Sequence, residues 1–264
     1  MKTSLLLAGV WAAMLGSAAL AEGPLRLGMT PEPYMPATMI DSSGKWIGWE
    51  ADISTAICES LEEGCDIRQM AWDALIPSLV EGKVDFAVGA FSVTAERLKI
   101  VDFSLPYEKQ ITHVVGAKAD DTPVTTTPAA DGSGDVLAAE GLESKIFGVQ
   151  NASIQANYMA TFVPSLELKS YDTADNAVAD LRAGRIDYVV MGDGFIEQFL
   201  TTEAGADYEI KLTMPENIVL GQGIAYAVRK GDTETLDKIN APLAKMTEDG
   251  RIAEFLKKWS DWKE

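Results

Sequence analysis

Residues that bind metals or act as nucleophile–base pairs are scarce here: 264 residues contain one histidine, His113, and two cysteines, Cys58 and Cys65. So small a set argues against a metal site, and no nucleophile–base constellation accompanies it. His113 falls in the apolar stretch from Ile111 to Ala117, where a half-buried strand residue is the expected role. Positive charge is short as well, with 22 Lys and Arg against 40 Asp and Glu and a net charge of −18. An acidic surface of this kind argues against nucleic acid and anionic lipid as partners, while leaving the sign inside a pocket open. The one long apolar run at the start, Leu5 to Leu15, is shorter than the roughly 20 residues a membrane-spanning helix needs.

That run has Lys2 before it and Ala19-Leu20-Ala21 after it, the three parts of a secretory signal over residues 1–21. No cysteine near Ala21 offers a lipid attachment point, so a soluble periplasmic product is expected. About 240 residues remain, enough for one large domain or two of ordinary size. In an oxidising compartment Cys58 and Cys65, with six residues between them, read as one disulfide, two buried thiols being the alternative.

Short apolar runs alternate with helical patterns along most of the chain. Strands are expected at Leu25–Gly28, Asp66–Met70, Val84–Val88, Lys145–Val149, Glu167–Tyr171 and Ile186–Met191. Helices are expected at Glu50–Leu61, Asp73–Val80, Ser153–Thr161 and Thr173–Ala183, with two more in Thr233–Trp262. Alternation of this kind predicts α/β architecture, with mostly parallel sheets covered by helices. An internal echo supports two similar lobes. Leu79-Val-Glu-Gly82-Lys83-Val84-Asp85-Phe86 is matched by Leu181-Arg-Ala-Gly184-Arg185-Ile186-Asp187-Tyr188. Each is a helix closed by a glycine suited to the left-handed cap, then a buried strand. Residues 119–141, rich in Thr, Pro, Asp, Gly and Ala, read as an exposed excursion from the second lobe rather than a linker.

Ligands of open α/β sheets sit beyond the carboxyl ends of the strands. After the strand ending at Val88 comes Gly89-Ala90-Phe91-Ser92-Val93-Thr94-Ala95-Glu96-Arg97. Thr94 is a good N-cap, which places Arg97 in the first turn of a short helix, where the helix dipole disfavours it. A planar fork aimed at a carboxylate would explain the arginine; pairing with Glu96 or Asp102 is the plainer explanation.

Trp72-Asp73-Ala-Leu-Ile-Pro77, Gly82-Lys-Val-Asp85, Ser92-Val-Thr94-Ala-Glu-Arg97 and Val101-Asp-Phe-Ser104-Leu-Pro106-Tyr107 occur in that order. Together they resemble the amino-acid-binding family of periplasmic receptors for ABC transporters, and the likeness runs from Leu25 to the C-terminal helices. Cys58-x6-Cys65 resembles the branch for lysine, arginine, ornithine, histidine and opines, and the 119–141 insertion resembles the opine receptors. The resemblance implies a two-lobed type 2 periplasmic binding fold with the ligand between the lobes. Residues 22–111 and 223–264 would form lobe 1, and residues 112–222 lobe 2.

It also implies roles for particular residues. Arg97 would hold the ligand carboxylate with help from the Ser92 backbone, while the Ser92 hydroxyl and Ala90 carbonyl would meet the ammonium. Trp72 and Tyr34 would form aromatic walls. The turn Gln150–Gln155 would offer N–H groups from the other lobe through Ser153 and Ile154, where Ile154 stands in place of a second hydroxyl residue. The usual ammonium partner, an acid five residues after Asp187, is replaced by Gly192, and Asp193 follows one position late. A one-residue bulge would restore the contact; otherwise the site suits a ligand without an ordinary primary amine, such as an opine, a betaine or a cyclic imino acid. The plainer role for Asp193 is N-cap of a helix over Gly194–Leu200. Pro31 occupies the position of an acid for basic side chains, with Glu32 beside it. Gln222 falls near the return crossing between lobes, and Trp46 and Trp49 are expected to pack.

The implied function is a monomeric receptor that captures an amino acid, opine or betaine-like solute by lobe closure and delivers it to a membrane ABC permease. No cofactor or metal is expected. A dehydratase acting on prephenate or arogenate on the same fold is the alternative. A signalling sensor has little support, since no membrane-spanning segment or kinase region follows.

Overall fold

The alternating pattern builds two α/β lobes in the computed structural model, which describes residues 23–260 and 262. The signal segment expected over 1–21 lies outside the described residues. The chain opens with β1 (Leu25–Met29), a small hairpin of β2 (Met39–Ile40) and β3 (Trp46–Ile47), then α1 (Trp49–Ser60) and β4 (Cys65–Gln69). It continues through α2 (Leu75–Val80), β5 (Phe86–Val88) and β6 (Val101–Phe103). The second lobe contains β7 (Thr112–Ala117), β8 (Thr126–Pro128), β9 (Asp135–Leu137), β10 (Ile146–Gln150) and α3 (Ile154–Phe162). There follow β11 (Glu167–Tyr171), α4 (Ala174–Arg182), β12 (Tyr188–Gly192), α5 (Asp193–Thr201) and β13 (Tyr208–Thr213). The chain then returns as β14 (Ala227–Arg229), α6 (Thr233–Glu248) and α7 (Arg251–Ser260).

The two main sheets have the same plan. Their strand orders are β4-β1-β5-β14-β6 and β11-β10-β12-β7-β13. In each, only the strand in fourth place runs against the others: β14 pairs antiparallel with β5 and β6, and β7 with β12 and β13. These reversed strands follow the two crossings between lobes, so the chain enters each sheet from the other lobe at the equivalent place.

The internal echo has one structural job, done twice. Gly82 and Gly184 adopt φ of 72° and 66° and close their helices. Three residues later, Asp85 accepts the backbone N–H of Arg26 at 2.8 Å, and Asp187 accepts that of Ile146, also at 2.8 Å. The Asp85 and Asp187 N–H groups donate to the carbonyls of the same two residues. Each aspartate thereby ties a βα unit to the start of the neighbouring strand.

Apolar side chains cover both faces of each sheet. In the first lobe Leu27, Phe86, Tyr226 and Ile239 pack on one face and Leu75, Leu79, Phe91 and Val101 on the other. In the second, Phe147, Tyr158 and Tyr188 face one way and Val115, Val189 and Ile196 the other. Full burial of each such side chain contributes about 1.5–3 kcal/mol. Trp49 and Trp259 are part of the first-lobe core, with Trp46 and Trp262 packed against it.

The 119–141 segment differs from its expected form. It folds as the β8–β9 hairpin, and its tip is exposed, but Val136 and Leu137 enter the second-lobe core. The Leu137 N–H donates to the Tyr158 hydroxyl at 2.9 Å. At the start of the segment Asp120 accepts from Lys145 Nζ at 2.8 Å and from the Tyr188 hydroxyl at 2.7 Å. Burial works to raise this carboxyl, but hydrogen bonds from Lys145, Thr122 and Tyr188 outweigh it and hold the group well below the usual carboxylate range. A few well-placed apolar residues thus anchor a segment whose composition is that of a loop.

Cys58 and Cys65 form a disulfide that ties the end of α1 to the start of β4. A bridge closing so short a loop contributes about 2–3 kcal/mol in the chain-entropy account. Replacing both cysteines by serine is therefore expected to lower the melting temperature by about 5–10 °C. Scanning fluorimetry measures this, and an unchanged value would show that α1 and β4 hold together without the bridge.

Candidate functional site

A narrow cleft between the lobes collects side chains from both. The first lobe supplies Glu32, Tyr34, Thr38, Glu50, Trp72, Ala90, Ser92 and Arg97; the second supplies Gln150, Ser153, Ile154 and Gln155. Gln110, on the crossing segment, joins them.

Arg97 is the centre of charge. Thr94 Oγ1 accepts the Arg97 N–H at 3.2 Å, so the expected cap sets the residue at the head of a short 3₁₀ turn. The side chain is 9 % exposed, and its two terminal nitrogens donate to the Ser92 carbonyl at 3.1 Å and, across the cleft, to the Ala152 carbonyl at 3.3 Å. Its guanidinium carbon lies 5.2 Å from the ring centre of Phe91 and 5.8 Å from that of Trp72. The acids that could have paired with it are engaged elsewhere, Glu96 with Lys99 and Asp102 with Lys230. Among the described residues no carboxylate pairs with Arg97. Burial lowers its pKa to about 10, which still leaves it charged at neutral pH.

The loops on either side are set by unusual backbone. Ala90 and Ala152 both adopt left-handed conformations, with φ of 50° and 54°. A non-glycine residue held there costs about 1–2 kcal/mol and persists where the surroundings fix it. At Ala90 the fixing group is visible: its N–H donates to both oxygens of Glu50, at 2.8 and 3.0 Å. Glu50 also accepts from the Tyr107 hydroxyl at 2.5 Å. In the other lobe Ser153 caps α3, its Oγ accepting the Ala156 N–H at 3.0 Å, while Ile154 is buried in the core.

The walls are aromatic and acidic. Trp72 Nε1 donates to the Gly89 carbonyl at 2.8 Å, fixing the ring over the cleft, and Tyr34 stacks on Phe195 of the second lobe at 5.1 Å. Glu32 accepts the Trp72 N–H at 3.2 Å and has a longer contact of 3.5 Å with Gln150 across the cleft. Among the described residues it has no cationic partner, and burial raises its pKa.

The sequence from Leu25 to Asp261 matches the profile of the bacterial extracellular solute-binding proteins, family 3. The chain belongs to this family. It is 30 % identical over 231 residues to a putative ABC transporter arginine-binding protein 2 of Escherichia coli, covering 87 % of this chain and 88 % of that protein. It is also 30 % identical over 263 residues to the L-arginine-binding protein of Pseudomonas aeruginosa, covering 94 % and 95 % of the two chains. An ancestral arginine-binding protein bound to arginine superposes with a TM-score of 0.76 at 29 % identity, over 90 % of this chain and 98 % of that one.

Within this solute-binding protein the cleft brings together Tyr34, Trp72, Ala90, Ser92, Arg97, Ser153, Ile154 and Glu32. It does not include Asp193 or Gln222. Asp193 is the first residue of α5 and lines a neighbouring cavity on the other side of Tyr34, with Glu108 and Glu197. Burial, with those two acids adding to it, raises its carboxyl to about 6. Gln222 lies on the return crossing, where its N–H donates to the Val93 carbonyl at 3.1 Å. Sequence reasoning missed Thr38, Glu50 and Gln110. Glu50 reads as an ordinary acid in the first turn of a helix; only the fold brings it under Ala90.

Burial pushes the Glu50 carboxyl up to about 7, against the opposing hydrogen bonds from Tyr107 and Ala90. A carboxyl whose folded pKa is raised binds more protons in the folded state. Its contribution to stability is therefore full below the unfolded value of about 4.5 and is lost as pH rises through about 7. The loss is on the order of 3 kcal/mol. Glu50→Gln should remove this dependence, gaining melting temperature relative to the parent between pH 5 and pH 8. Parallel melting curves for the two proteins across that range would show that Glu50 does not titrate there.

Proposed function

We propose that this solute-binding protein closes around a basic amino acid, arginine first, and hands it to a membrane ABC permease from the periplasm. The observation that carries the reading is Arg97, a buried guanidinium held by two carbonyls and two aromatic rings with no carboxylate beside it among the described residues. An unpaired buried charge is costly, and an α-carboxylate is the group that a planar fork in this position would accept. Ser153 and its helix N-terminus face the same cleft and add donors from the second lobe. Glu32 supports a cationic side chain at the other end, beside the flat face that Trp72 offers to a guanidinium. The arginine-binding names of the relatives support the same class.

In this reading Arg97, Ser92, Ala90, Trp72, Tyr34, Ser153, Ile154 and Glu32 contact the ligand, while Asp193 and Gln222 shape the surroundings. The lobe boundaries fall at the crossings near 111–112 and 222–223, and the protein works as a monomer. Binding rather than dehydration is the proposed activity; the appearance of an aromatic product on incubation with prephenate would overturn it.

Two measurements test the proposal. Ligand binding raises stability by mass action, so in a thermal-shift panel of amino acids, opines, betaines and polyamines, L-arginine should give the largest shift. No shift with any basic amino acid would refute the ligand class. Arg97→Ala should weaken binding well over tenfold, because truncating one member of a buried charge pair costs about 2–5 kcal/mol. Near-normal affinity in that variant would remove the central claim.

A further inference from the structure

Thr38 is one of the most enclosed polar residues of the first lobe, at 1 % exposure, and its hydroxyl has no hydrogen-bond partner among the described residues. It lines the ligand cleft together with Tyr34, Glu50 and Ala90. Its backbone is fully committed, pairing with Tyr34 in both directions at 2.9 and 3.1 Å, so only the side chain is available. A hydroxyl buried without a partner destabilises the fold, because its lost hydration is not replaced. Valine would fill the same volume without that cost.

The loop is held where it is by close packing. Gly48 has φ of 115°, and a Cβ there would lie 2.2 Å from the Ala37 carbonyl oxygen and 2.9 Å from Thr38 Cα. The Glu50 N–H donates to that same Ala37 carbonyl at 2.9 Å. Gly48 therefore lets the Thr38 loop sit directly against the N-terminus of α1, whose Glu50 lines the same cleft. An unpartnered hydroxyl at the wall of a cleft that Glu50 also lines suits a ligand group that carries hydrogen.

We infer that Thr38 contacts the ligand, its hydroxyl accepting a hydrogen bond from an N–H group of the bound amino acid beside Glu50. This rests on the amino-acid reading of the cleft and deepens it. The ligand nitrogen at this wall must bear hydrogen, as a primary or secondary ammonium does and a quaternary one does not. Asp193 is not needed for this contact, since it faces the cavity beyond Tyr34.

Titration calorimetry of the full chain, Thr38→Val and Thr38→Ser with L-arginine, L-lysine, L-histidine and octopine tests the assignment, alongside unliganded melting curves. Thr38→Val should weaken each probe that the parent binds by about tenfold, and its unliganded melting temperature should stay level or rise. Thr38→Ser, which keeps the hydroxyl, should bind within about threefold of the parent. Unchanged affinity in Thr38→Val overturns the inference and leaves the proposed function standing. A loss of affinity that Thr38→Ser does not restore overturns it too, by showing a packing role for the threonine methyl group. If the parent binds none of the four probes, the amino-acid reading itself fails, and this inference with it.

Discussion

The cleft is organised around a positive charge that no carboxylate among the described residues answers. Arg97 is placed by its own lobe, through the Thr94 cap and the Ser92 carbonyl, and it donates across the cleft to the Ala152 carbonyl. Carbonyls orient a guanidinium but do not neutralise it. Aromatic faces at 5.2 and 5.8 Å lower the cost of burial without removing it. The surrounding loops make sense as supports for this one group. Ala90 is held left-handed by Glu50, and Ala152 turns left-handed so that its carbonyl meets the guanidinium while Ser153 starts α3. Strained backbone appears in one loop of each lobe, at Ala90 after β5 and at Ala152 after β10.

The rest of the fold serves to bring those two loops face to face. Each sheet has the same order, with the strand arriving from the other lobe in fourth place. Each repeats the aspartate that accepts a backbone N–H from the neighbouring strand, Asp85 for Arg26 and Asp187 for Ile146. In the first lobe Arg26 also pairs with Asp85 at 2.7 Å, which reinforces the same joint. A rigid lobe matters because a loop can present a charge accurately only if the strand before it does not move. The lobes are joined by two crossing segments, bridged to each other at Glu108 and Ile224.

Much of this was legible in the sequence, for reasons tied to locality. Strands and helices followed from apolar period and caps, and the Leu79–Phe86 and Leu181–Tyr188 echo correctly announced two like units. Arg97 stood out because a cation in a first helical turn is unfavourable without another purpose, and Thr94 marked that turn. What stayed hidden depends on chain segments meeting. Glu50 looks like an ordinary first-turn acid until the fold sets it under Ala90. Thr38 has no local signal at all, since only Gly48 and the packing behind it bury the hydroxyl. Asp193 illustrates the reverse case: one residue of register turned it away from the cleft and left it at the head of α5. The hairpin within 119–141 escaped notice because Val136 and Leu137 are too few to alter the composition of a loop.

The contacts between lobes also bear on how such a protein responds to its ligand. Across the cleft the polar links are long, 3.3 Å from Arg97 to Ala152 and 3.5 Å from Glu32 to Gln150, and the Tyr34–Phe195 stack adds one apolar contact. These are weak restraints beside the cost of enclosing a guanidinium and a carboxylate that have no ionic partner among the described residues. A ligand can shift a two-state equilibrium only by its differential affinity for the two states. In the proposed reading that difference comes from a ligand carboxylate on Arg97 and a ligand cation on Glu32, which would satisfy charges that closure buries. Closure and ligand capture are then one event, and the closed form is itself the report that the cleft is filled.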